Sequence, residues 1–141
     1  MQCDIREVSG VEYAEDIHRL NALSPDIFPK LKPHHLASGY WWLIFHKEQP
    51  RAFAGMVPMV PFDCWYMKRC WIHPIYRGRG WQKILLGERE LKARQIGVNL
   101  LVSECHETNH ASANNFLLCG YTETFPEQPW ARNSRFWMKK I

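Results

Sequence analysis

The sequence predicts a mixed α/β fold whose central part is an antiparallel sheet. Three consecutive segments of strand character follow one another in the first half of the chain, which is typical of an antiparallel meander. A long amphipathic helix then stands between two strands and requires one parallel crossover. The chain has 141 residues, the size of one ordinary domain, and no repeat or linker-like composition. We therefore expect a single domain over residues 1–141.

The first half of the chain is predicted to hold one main helix and four strands. Apolar residues recur at helical spacing over residues 11–23, and Ser9 is placed to cap that helix. Three prolines in residues 24–35 indicate a loop with only a brief helix around residues 30–36. The segment EQPR, residues 48–51, is typical of a turn. The predicted strands are the segments 3–8, 40–46, 52–60 and 64–72.

The second half is predicted to hold a long helix, a shorter helix and two strands. Gly97 ends the long helix, since a glycine readily takes the left-handed conformation wanted there, and Gly120 ends the shorter one. The strands are predicted at residues 98–105 and 135–141. The apolar positions that recur at helical spacing in the long helix, with charged residues between them, are Trp81, Ile84, Leu85 and Leu91.

Composition and charge exclude several classes of protein. No apolar run approaches the roughly 20 residues that span a bilayer, and charges near the N-terminus do not fit a secretory signal, so we expect a cytoplasmic protein. The five cysteines form no C-x-x-C pair, so neither a disulfide framework nor a zinc site is indicated, and no metal is expected. The net charge of +4 suits an anionic ligand. Because no basic run of five or more residues occurs, nucleic acid is not the expected partner.

The segment IHPIYRGRGWQKILL, residues 72–86, has the composition of an anion-binding loop at the head of a helix. Gly78 and Gly80 allow backbone conformations closed to other residues, and they let a ligand approach without a Cβ in the way. The helix that begins near Gly80 offers unpaired N–H groups and the positive end of its dipole. Formal positive charge at the same place comes from Arg77, Arg79 and Lys83. This combination suits a pyrophosphate.

Two common nucleotide motifs do not fit this loop. No G-x-x-x-x-G-K-[ST] pattern aligns on it, and the hydroxyl that would bind magnesium is missing. The loop contains G-x-G-x-x-K instead of G-x-G-x-x-G, and a meander of strands precedes it where a dinucleotide fold has a βαβ unit. The ligand is therefore expected to be a pyrophosphate compound of another kind.

The segment HPIYRGRGWQKILL resembles the acyl-CoA-binding motif of the GNAT superfamily of N-acetyltransferases, [QR]-x-x-G-x-[GA] at the head of a long helix. Arg77 takes the first position and Gly80 the fourth, whereas Gln82 replaces the usual small residue at the sixth. A second segment, NHASANNFLLCGY, is similar to the family's N-x-x-A-x-x-x-Y-x-x-x-x-[FY] stretch after the next strand. The order and separation of the two segments agree with the family over nearly the whole chain.

The resemblance implies a GNAT-like fold: a mainly antiparallel, twisted sheet flanked by helices, with a splayed pair of parallel strands that holds acetyl-CoA. Those strands would be the one that ends at Ile72 and the one around Val102. Backbone amides around Gly78–Lys83 would bind the pyrophosphate, and Asn109 would approach the pantetheine. The backbone of Trp71 and Ile72 would pair with the pantetheine arm and polarise the thioester carbonyl. The residues implied in cofactor binding are Trp71, Ile72, Arg77, Gly78, Arg79, Gly80, Trp81, Gln82, Lys83, Asn109 and Phe116.

Two departures from the family pattern concern the acid and the base. Many members have a tyrosine, proposed to protonate the leaving thiolate, where this chain has Phe116; a thiolate leaves without that help, more slowly. The usual glutamate of the strand before the loop is also missing, and that strand carries Lys68 and Arg69, either a solvated face or a contact to an acidic substrate or to CoA phosphate. The candidate substitute bases are Glu104, which is the first choice, His106 and His73.

The resemblance implies an N-acetyltransferase that moves an acetyl group from acetyl-CoA to a primary amine by direct attack in a ternary complex. The acceptor, a small molecule or a peptide, is left open, and dimers are frequent in the family. The loop and last strand in residues 126–137 are expected to shape the acceptor side, the alternative being a tail without a role, and Trp41 or Trp65 are further candidate lining residues. The alternative is a CoA-binding sensor or interaction module of this fold without turnover, and a nucleic-acid partner is a weaker third option.

Overall fold

A computed structural model describes residues 3–24 and 31–141, and its elements confirm a mixed α/β fold. No helix in this part of the chain is both long enough and apolar enough to cross a membrane. In chain order the elements are β1 (Asp4–Val8), α1 (Ala14–Ala22), α2 (Pro33–Leu36), β2 (Tyr40–His46), β3 (Gln49–Pro58), β4 (Trp65–Tyr66), β5 (Cys70–Ile72), a 3-10 helix (Pro74–Tyr76), α3 (Trp81–Ile96), β6 (Leu100–His106), α4 (His110–Leu118), β7 (Thr122–Thr124) and β8 (Ser134–Lys140).

The chain divides into two compact units. The first unit contains the described residues up to Pro58 together with Lys68–Trp81, and the second contains Met59–Met67 and Gln82–Ile141. The sheet of the first unit is antiparallel throughout, in the order β1-β2-β3-β5. The sheet of the second unit has the order β4-β6-β8-β7, in which β4 and β6 are parallel and the other pairs antiparallel. The expected antiparallel sheet with one parallel pair is thereby confirmed.

The core of the first unit lies between its sheet and helices α1 and α2. Ile17 and Leu20 of α1 and Leu36 of α2 pack against aromatic side chains of the strands, among them Trp41 and Phe53. Helix α1 begins at Ala14, three residues later than predicted, because residues 11–13 form a turn in which the Ser9 hydroxyl accepts a hydrogen bond from the amide of Glu12 at 3.2 Å. The short helix α2 agrees with the brief helix predicted around residues 30–36. Residues 25–30 of the same predicted loop lie outside the described part.

Two predictions in the first half, one of a turn and one of a strand, were wrong. The turn after β2 is formed by Lys47 and Glu48, both with positive φ, so most of the EQPR segment belongs to β3. The segment 64–72 is not one strand but two, β4 and β5. β4 pairs in parallel with β6, and β5 pairs antiparallel with β3. Residues 67–69 between them belong to no strand, and Arg69 takes a φ of 60°. That interruption is typical of a β-bulge.

In the second unit, helices α3 and α4 pack on one face of the sheet. Trp137 of β8 stacks on Phe116 of α4, and Lys139 of β8 donates a hydrogen bond to Glu90 of α3. Side chains alternate between the faces of a strand, so Phe136 and Met138 lie on the face away from these helices. The second unit therefore has one face covered by its own helices and one that is not.

The predicted core face of α3 was wrong in part. Trp81 and Leu85 are buried as expected, and Gly97 ends the helix with a φ of 79°. Ile84 and Leu91, however, are 36% and 49% exposed. The buried residues on the other side of the helix include Leu86, Arg89, Glu90 and Ala93. Charged residues occupy core positions here because Glu90 finds hydrogen-bond donors on β8 and near the end of α4, which a pattern of apolar residues does not reveal.

Candidate functional site

The loop between β5 and α3 has the backbone geometry of a ligand-binding turn. The 3-10 helix Pro74–Tyr76 follows β5, and the ring of His73 caps it by accepting a hydrogen bond from the amide of Ile75 at 3.3 Å. Gly78 and Gly80 then take φ values of 79° and 80°. A Cβ at either glycine would meet no atom within 4 Å, so the left-handed φ, and not crowding within the chain, requires glycine here.

Positive charge surrounds this turn. Arg77 donates from Nε to the carbonyl oxygen of Ile72 at 2.9 Å, which ties the loop back to the end of β5. The guanidinium of Arg79 lies 5.0 Å from the ring centroid of Tyr76, and Lys83 is exposed in the first turn of α3. That turn carries no acidic residue. An anion at the start of α3 would therefore meet helix N–H groups and cationic side chains, with no carboxylate in that turn of the helix.

Buried aromatic rings hold the loop in place. Tyr76 is buried and stacks on Trp81, with ring centroids 5.0 Å apart and an interplanar angle of 17°. Its hydroxyl lies 2.6 Å from Nδ1 of His46 on β2. Because Tyr76 and Trp81 flank the two glycines in sequence, their stacking restricts a turn that the glycines alone would leave flexible.

Gln82 serves a structural purpose that the sequence did not reveal. Its side-chain amide donates to Oγ of Ser112 at 2.8 Å and accepts from Nδ2 of Asn115 at 2.9 Å, so it links α3 to α4. The unusual residue at the sixth motif position is therefore engaged with α4, and only its backbone amide is suited to a phosphate. Asn109 is the N-cap of α4, where its side-chain oxygen accepts a hydrogen bond from the amide of Ser112 at 3.1 Å.

Phe116, at the position of the family's tyrosine, belongs to the core of the second unit. It stacks on Trp137 at 5.4 Å and contacts Tyr121 edge to face at 5.2 Å. Tyr121 does not replace the missing acid, because its hydroxyl donates to Glu90 at 3.0 Å in the interior. Burial first, and then the Glu90 carboxylate, raises the pKa of the Tyr121 phenol well above its usual value.

Glu104 lies on β6 with its two carboxylate oxygens bound by aromatic side chains. Tyr66 of β4 donates its hydroxyl to Oε1, and Nε1 of Trp130 in the β7–β8 loop donates to Oε2 at 3.1 Å. Glu104 is half-buried, and 36% of Trp130 is exposed. Three elements of the second unit thus meet at one carboxylate.

The two histidines considered as bases are engaged locally. His106, at the end of β6, has its Nδ1 2.7 Å from Oγ1 of Thr108 and also accepts from the amide of Thr108 at 3.2 Å. His73 caps the 3-10 helix, as described above. Of the three candidates, Glu104 is the one whose side-chain contacts come from elements distant in sequence.

The strand that ends at Ile72, expected to splay from the strand around Val102, is the second of two short strands in the structure. Trp65 and Tyr66 of β4 pair in parallel with Leu101 and Val102 of β6, whereas Ile72 of β5 is opposite Ala52 of β3. The parallel pair is therefore formed by β4 and β6, and β5 joins the antiparallel sheet of the first unit. Trp71 is buried in the core of that unit.

Tyr66 and Trp130 are the residues that sequence reasoning missed. Trp130 lies in the segment 126–137 that the sequence predicts to shape the acceptor side, and this is the only signal that pointed to it. No sequence signal distinguishes Tyr66 from the other aromatic residues of the predicted strands. The other proposed lining residues differ in exposure: Trp41 is 1% exposed and belongs to the core, while Trp65 is half-buried.

Comparison with known proteins identifies the family. The model of the acetyltransferase (GNAT) family matches residues 9–121, so the chain belongs to this family. The matched range contains both sequence motifs, the glycine turn and Glu104. The curated proteins include none that matches this sequence.

Solved structures of acetyltransferases share the fold over the whole chain. An IAA acetyltransferase from Bacillus cereus has a TM-score of 0.80 at 11% identity, with 99% of this chain and 100% of that chain covered. The ribosomal-protein-S18-alanine N-acetyltransferase from Escherichia coli has a TM-score of 0.80 at 14% identity, covering 99% and 94%. The PaiA N-acetyltransferase from Thermoplasma acidophilum, solved in complex with coenzyme A, has a TM-score of 0.79 at 14% identity, with both chains covered completely.

Proposed function

We propose that the whole chain, residues 1–141, is one N-acetyltransferase domain that transfers an acetyl group from acetyl-CoA to a primary amine. Membership of the acetyltransferase family supports acyl transfer, and the coenzyme A complex of a protein with the same fold supports the donor. The observation that carries the proposal is the turn at Gly78 and Gly80, which has left-handed backbone, cationic side chains and the start of α3 together.

Acetyl-CoA binding rests on the loop and the first turn of α3. Amides of residues 78–83 bind the pyrophosphate, and Arg79 and Lys83 add charge. Arg77 positions the loop through its bond to the carbonyl of Ile72. The backbone at Trp71 and Ile72 and the side chain of Asn109 are assigned to the pantetheine, as the family resemblance implies.

The chemical step is a direct attack with Glu104 as the general base. Glu104 takes one proton from the ammonium group, the neutral amine attacks the thioester carbon, and a C–N bond forms as the C–S bond breaks. The thiolate of CoA leaves, and the second proton of the nitrogen passes to water. For three of the five cysteines, Cys64, Cys105 and Cys119, burial raises the pKa of the thiol, which opposes an enzyme thioester at these positions.

Calorimetric titration with acetyl-CoA tests the cofactor site. Gly80→Asp places a carboxylate at the turn and is expected to weaken binding by about tenfold or more, since like charges repel. Gly80→Asn has the same size and the same backbone demand without the charge, and it is expected to bind far better than Gly80→Asp. Gly97→Asp adds the same charge at a glycine of similar φ at the other end of α3 and should bind as the wild type does. A folded wild type that binds no acetyl-CoA at millimolar concentration would refute the proposal.

The second candidate is a CoA-binding sensor without turnover, and the core position of Phe116 favours it. No phenol is available at that position to protonate the thiolate. The two functions differ in one measurement, the release of CoA thiol in the presence of a panel of amines. Acetyl-CoA binding without thiol release from any amine would support the sensor.

A further inference from the structure

Nitrogen donors of four residues lie together where β3 and β5 pair in the first unit. Trp71 is opposite Phe53, and the amide of His73 donates to the carbonyl oxygen of Arg51 at 2.9 Å, so the pairing continues one residue past β5. His73 shares the face of Trp71, and paired residues share a face as well, so Arg51 lies there too. The ring centroid of His73 is 6.0 Å from that of Trp71, and the guanidinium carbon of Arg77 is 5.9 Å from the Trp71 ring. We call Arg51, Trp71, His73 and Arg77 the Arg51 cluster.

Two nitrogens of the cluster are buried without a hydrogen-bond partner. Within the part of the chain that the structure describes, neither Nε1 of Trp71 nor Nε of Arg51 has an acceptor, although both atoms are inaccessible to solvent. Trp71 as a whole is 8% exposed. Buried donors are rarely left unpaired, because an unpaired one keeps the full cost of its desolvation. We therefore expect an acceptor at these two nitrogens that the described residues do not supply.

The charges of the cluster decide what kind of acceptor fits. Among the described residues, no carboxylate forms an ion pair with Arg51 or Arg77. Nδ1 of His73 accepts from the amide of Ile75, so Nε2 of that ring carries a proton and is a further donor. A water molecule satisfies a buried donor but leaves the charge of half-buried Arg51 uncompensated. An oxyanion accepts several hydrogen bonds and also carries the opposite charge.

We propose that the Arg51 cluster binds an oxyanion, a carboxylate or a phosphate group, that accepts from Nε of Arg51 and Nε1 of Trp71. Exposure falls from Arg77, which is exposed, through half-buried His73 and Arg51 to buried Trp71, so the anion enters from the side of Arg77. The site is distinct from the amides of residues 78–83, which are assigned to the pyrophosphate. The oxyanion belongs to the amine acceptor, to the phosphate on the ribose of CoA or to a free effector; the first two sources rest on the proposed function.

Calorimetric titration with inorganic phosphate tests the site directly. The Gly80→Asp protein is used, because its carboxylate opposes anion binding at the turn and leaves the cluster as the site that is measured. We expect this protein to bind phosphate at millimolar concentration. Addition of Arg51→Gln should weaken the binding by about tenfold or more, since a charge-assisted hydrogen bond is lost. Addition of Arg19→Gln, which removes an exposed cation of α1 in the same unit, is the matched control and should leave the affinity unchanged.

Trp71→Phe tests the buried indole N–H, because it keeps a ring and removes the donor. In the Gly80→Asp protein it should weaken phosphate binding by about threefold or more. Phosphate should also raise the unfolding temperature of the Gly80→Asp protein, and the rise should be smaller with Trp71→Phe or Arg51→Gln. A merely structural role of Trp71 would lower the unfolding temperature equally with and without phosphate.

Two matched pairs of compounds assign the source of the oxyanion. Phenylalanine and phenylalaninamide differ in the carboxylate, and acetyl-CoA differs from its dephospho form in the phosphate on the ribose. If Arg51→Gln lowers kcat/KM for phenylalanine and not for the amide, the oxyanion belongs to the acceptor. If it weakens the binding of acetyl-CoA and not of the dephospho form, the oxyanion belongs to CoA. Loss of phosphate binding alone assigns the site to a free oxyanion.

Two results would overturn the oxyanion site while the proposed function stands. The first is a folded Gly80→Asp protein that binds no phosphate at millimolar concentration. The second is phosphate affinity that neither Arg51→Gln nor Trp71→Phe changes, each variant being shown to be folded by its unfolding temperature. Failure of the wild type to bind acetyl-CoA, with phosphate binding still dependent on Arg51, would instead refute the proposed function and leave the oxyanion site in place.

Discussion

Replacement of Lys139 by Met tests the buried ion pair that organises the second unit. Nζ of Lys139 lies 2.7 Å from Oε1 of Glu90 and also donates to the carbonyl oxygen of Cys119 at 2.7 Å. The side chain of Glu90 is 8% exposed and that of Lys139 is 24% exposed. After Lys139→Met, Glu90 keeps the Tyr121 hydroxyl but loses its nearest cation, while methionine fills most of the volume of the lysine stem.

The magnitude follows from the burial of the two partners. Removal of one partner from a fully buried pair costs about 3–5 kcal/mol, whereas an exposed pair contributes about 0–1 kcal/mol. Since the carboxylate is buried and the ammonium group is partly exposed, we expect a loss of about 2–3 kcal/mol in the free energy of unfolding. For a domain of this size that loss corresponds to a fall of about 6–9 °C in Tm.

Urea denaturation followed by tryptophan fluorescence measures this loss. Lys140→Met, at the exposed neighbouring lysine, is the control and should change the free energy of unfolding by less than about 0.5 kcal/mol. Glu90→Gln in the Lys139→Met background removes the buried charge, which then has only the more distant and exposed Arg94 as a cation at 3.9 Å, and should restore part of the stability. The reasoning is refuted if Lys139→Met is as stable as Lys140→Met, or if Glu90→Gln destabilises the Lys139→Met protein further.

Three further predictions concern stability. Gly87→Ala, at an exposed position inside α3 with open space around it, should raise the free energy of unfolding by about 0.5–1 kcal/mol in a urea titration. Gly55→Ala should lower it by about 1–3 kcal/mol, because the new Cβ would lie 2.5 Å from the buried ring of Trp41; an unchanged denaturation midpoint would contradict this packing. Chiefly through its hydrogen bond, Arg135 lowers the pKa of Glu123 below 4.5. The stabilisation of the fold by this pair is therefore present above pH 4.5 and is lost as the pH falls through the lowered pKa of Glu123. Glu123→Gln should therefore flatten the acid limb of a stability–pH profile by about 1 kcal/mol at most, the limit for a surface pair, and an unaltered limb would argue against the pair.

Features encoded by a few neighbouring residues were predicted correctly. Gly97 ends α3 and Gly120 follows α4 with left-handed backbone, because a glycine stops a helix through its own conformational freedom. The turn at Gly78 and Gly80 follows the same logic, and the two motifs that carry the family resemblance lie within short stretches of the chain. Strand β2 has the predicted bounds because a run of aromatic and branched residues marks a buried strand by itself.

Features that depend on which distant segments pair were decided by the tertiary structure alone. The segment 64–72 forms two strands, of which β4 is parallel to β6 and β5 is antiparallel to β3, and no local signal marks the break at residues 67–69. The buried face of α3 includes Glu90 because donors from β8 and from Tyr121 meet it there. Sequence periodicity cannot distinguish a satisfied buried charge from a solvated one.

The candidate acceptor site shows the same division. The sequence by itself determined the family, and it led to the proposed cofactor loop and to the proposal of Glu104 as the base, since each depends on a short motif or on one strand. Only the fold brought Tyr66 and Trp130 to that carboxylate, from positions 38 and 26 residues away along the chain. Hydrogen bonds between such distant residues arise from strand pairing and loop closure, which depend on the packing of the whole unit and not on neighbouring residues.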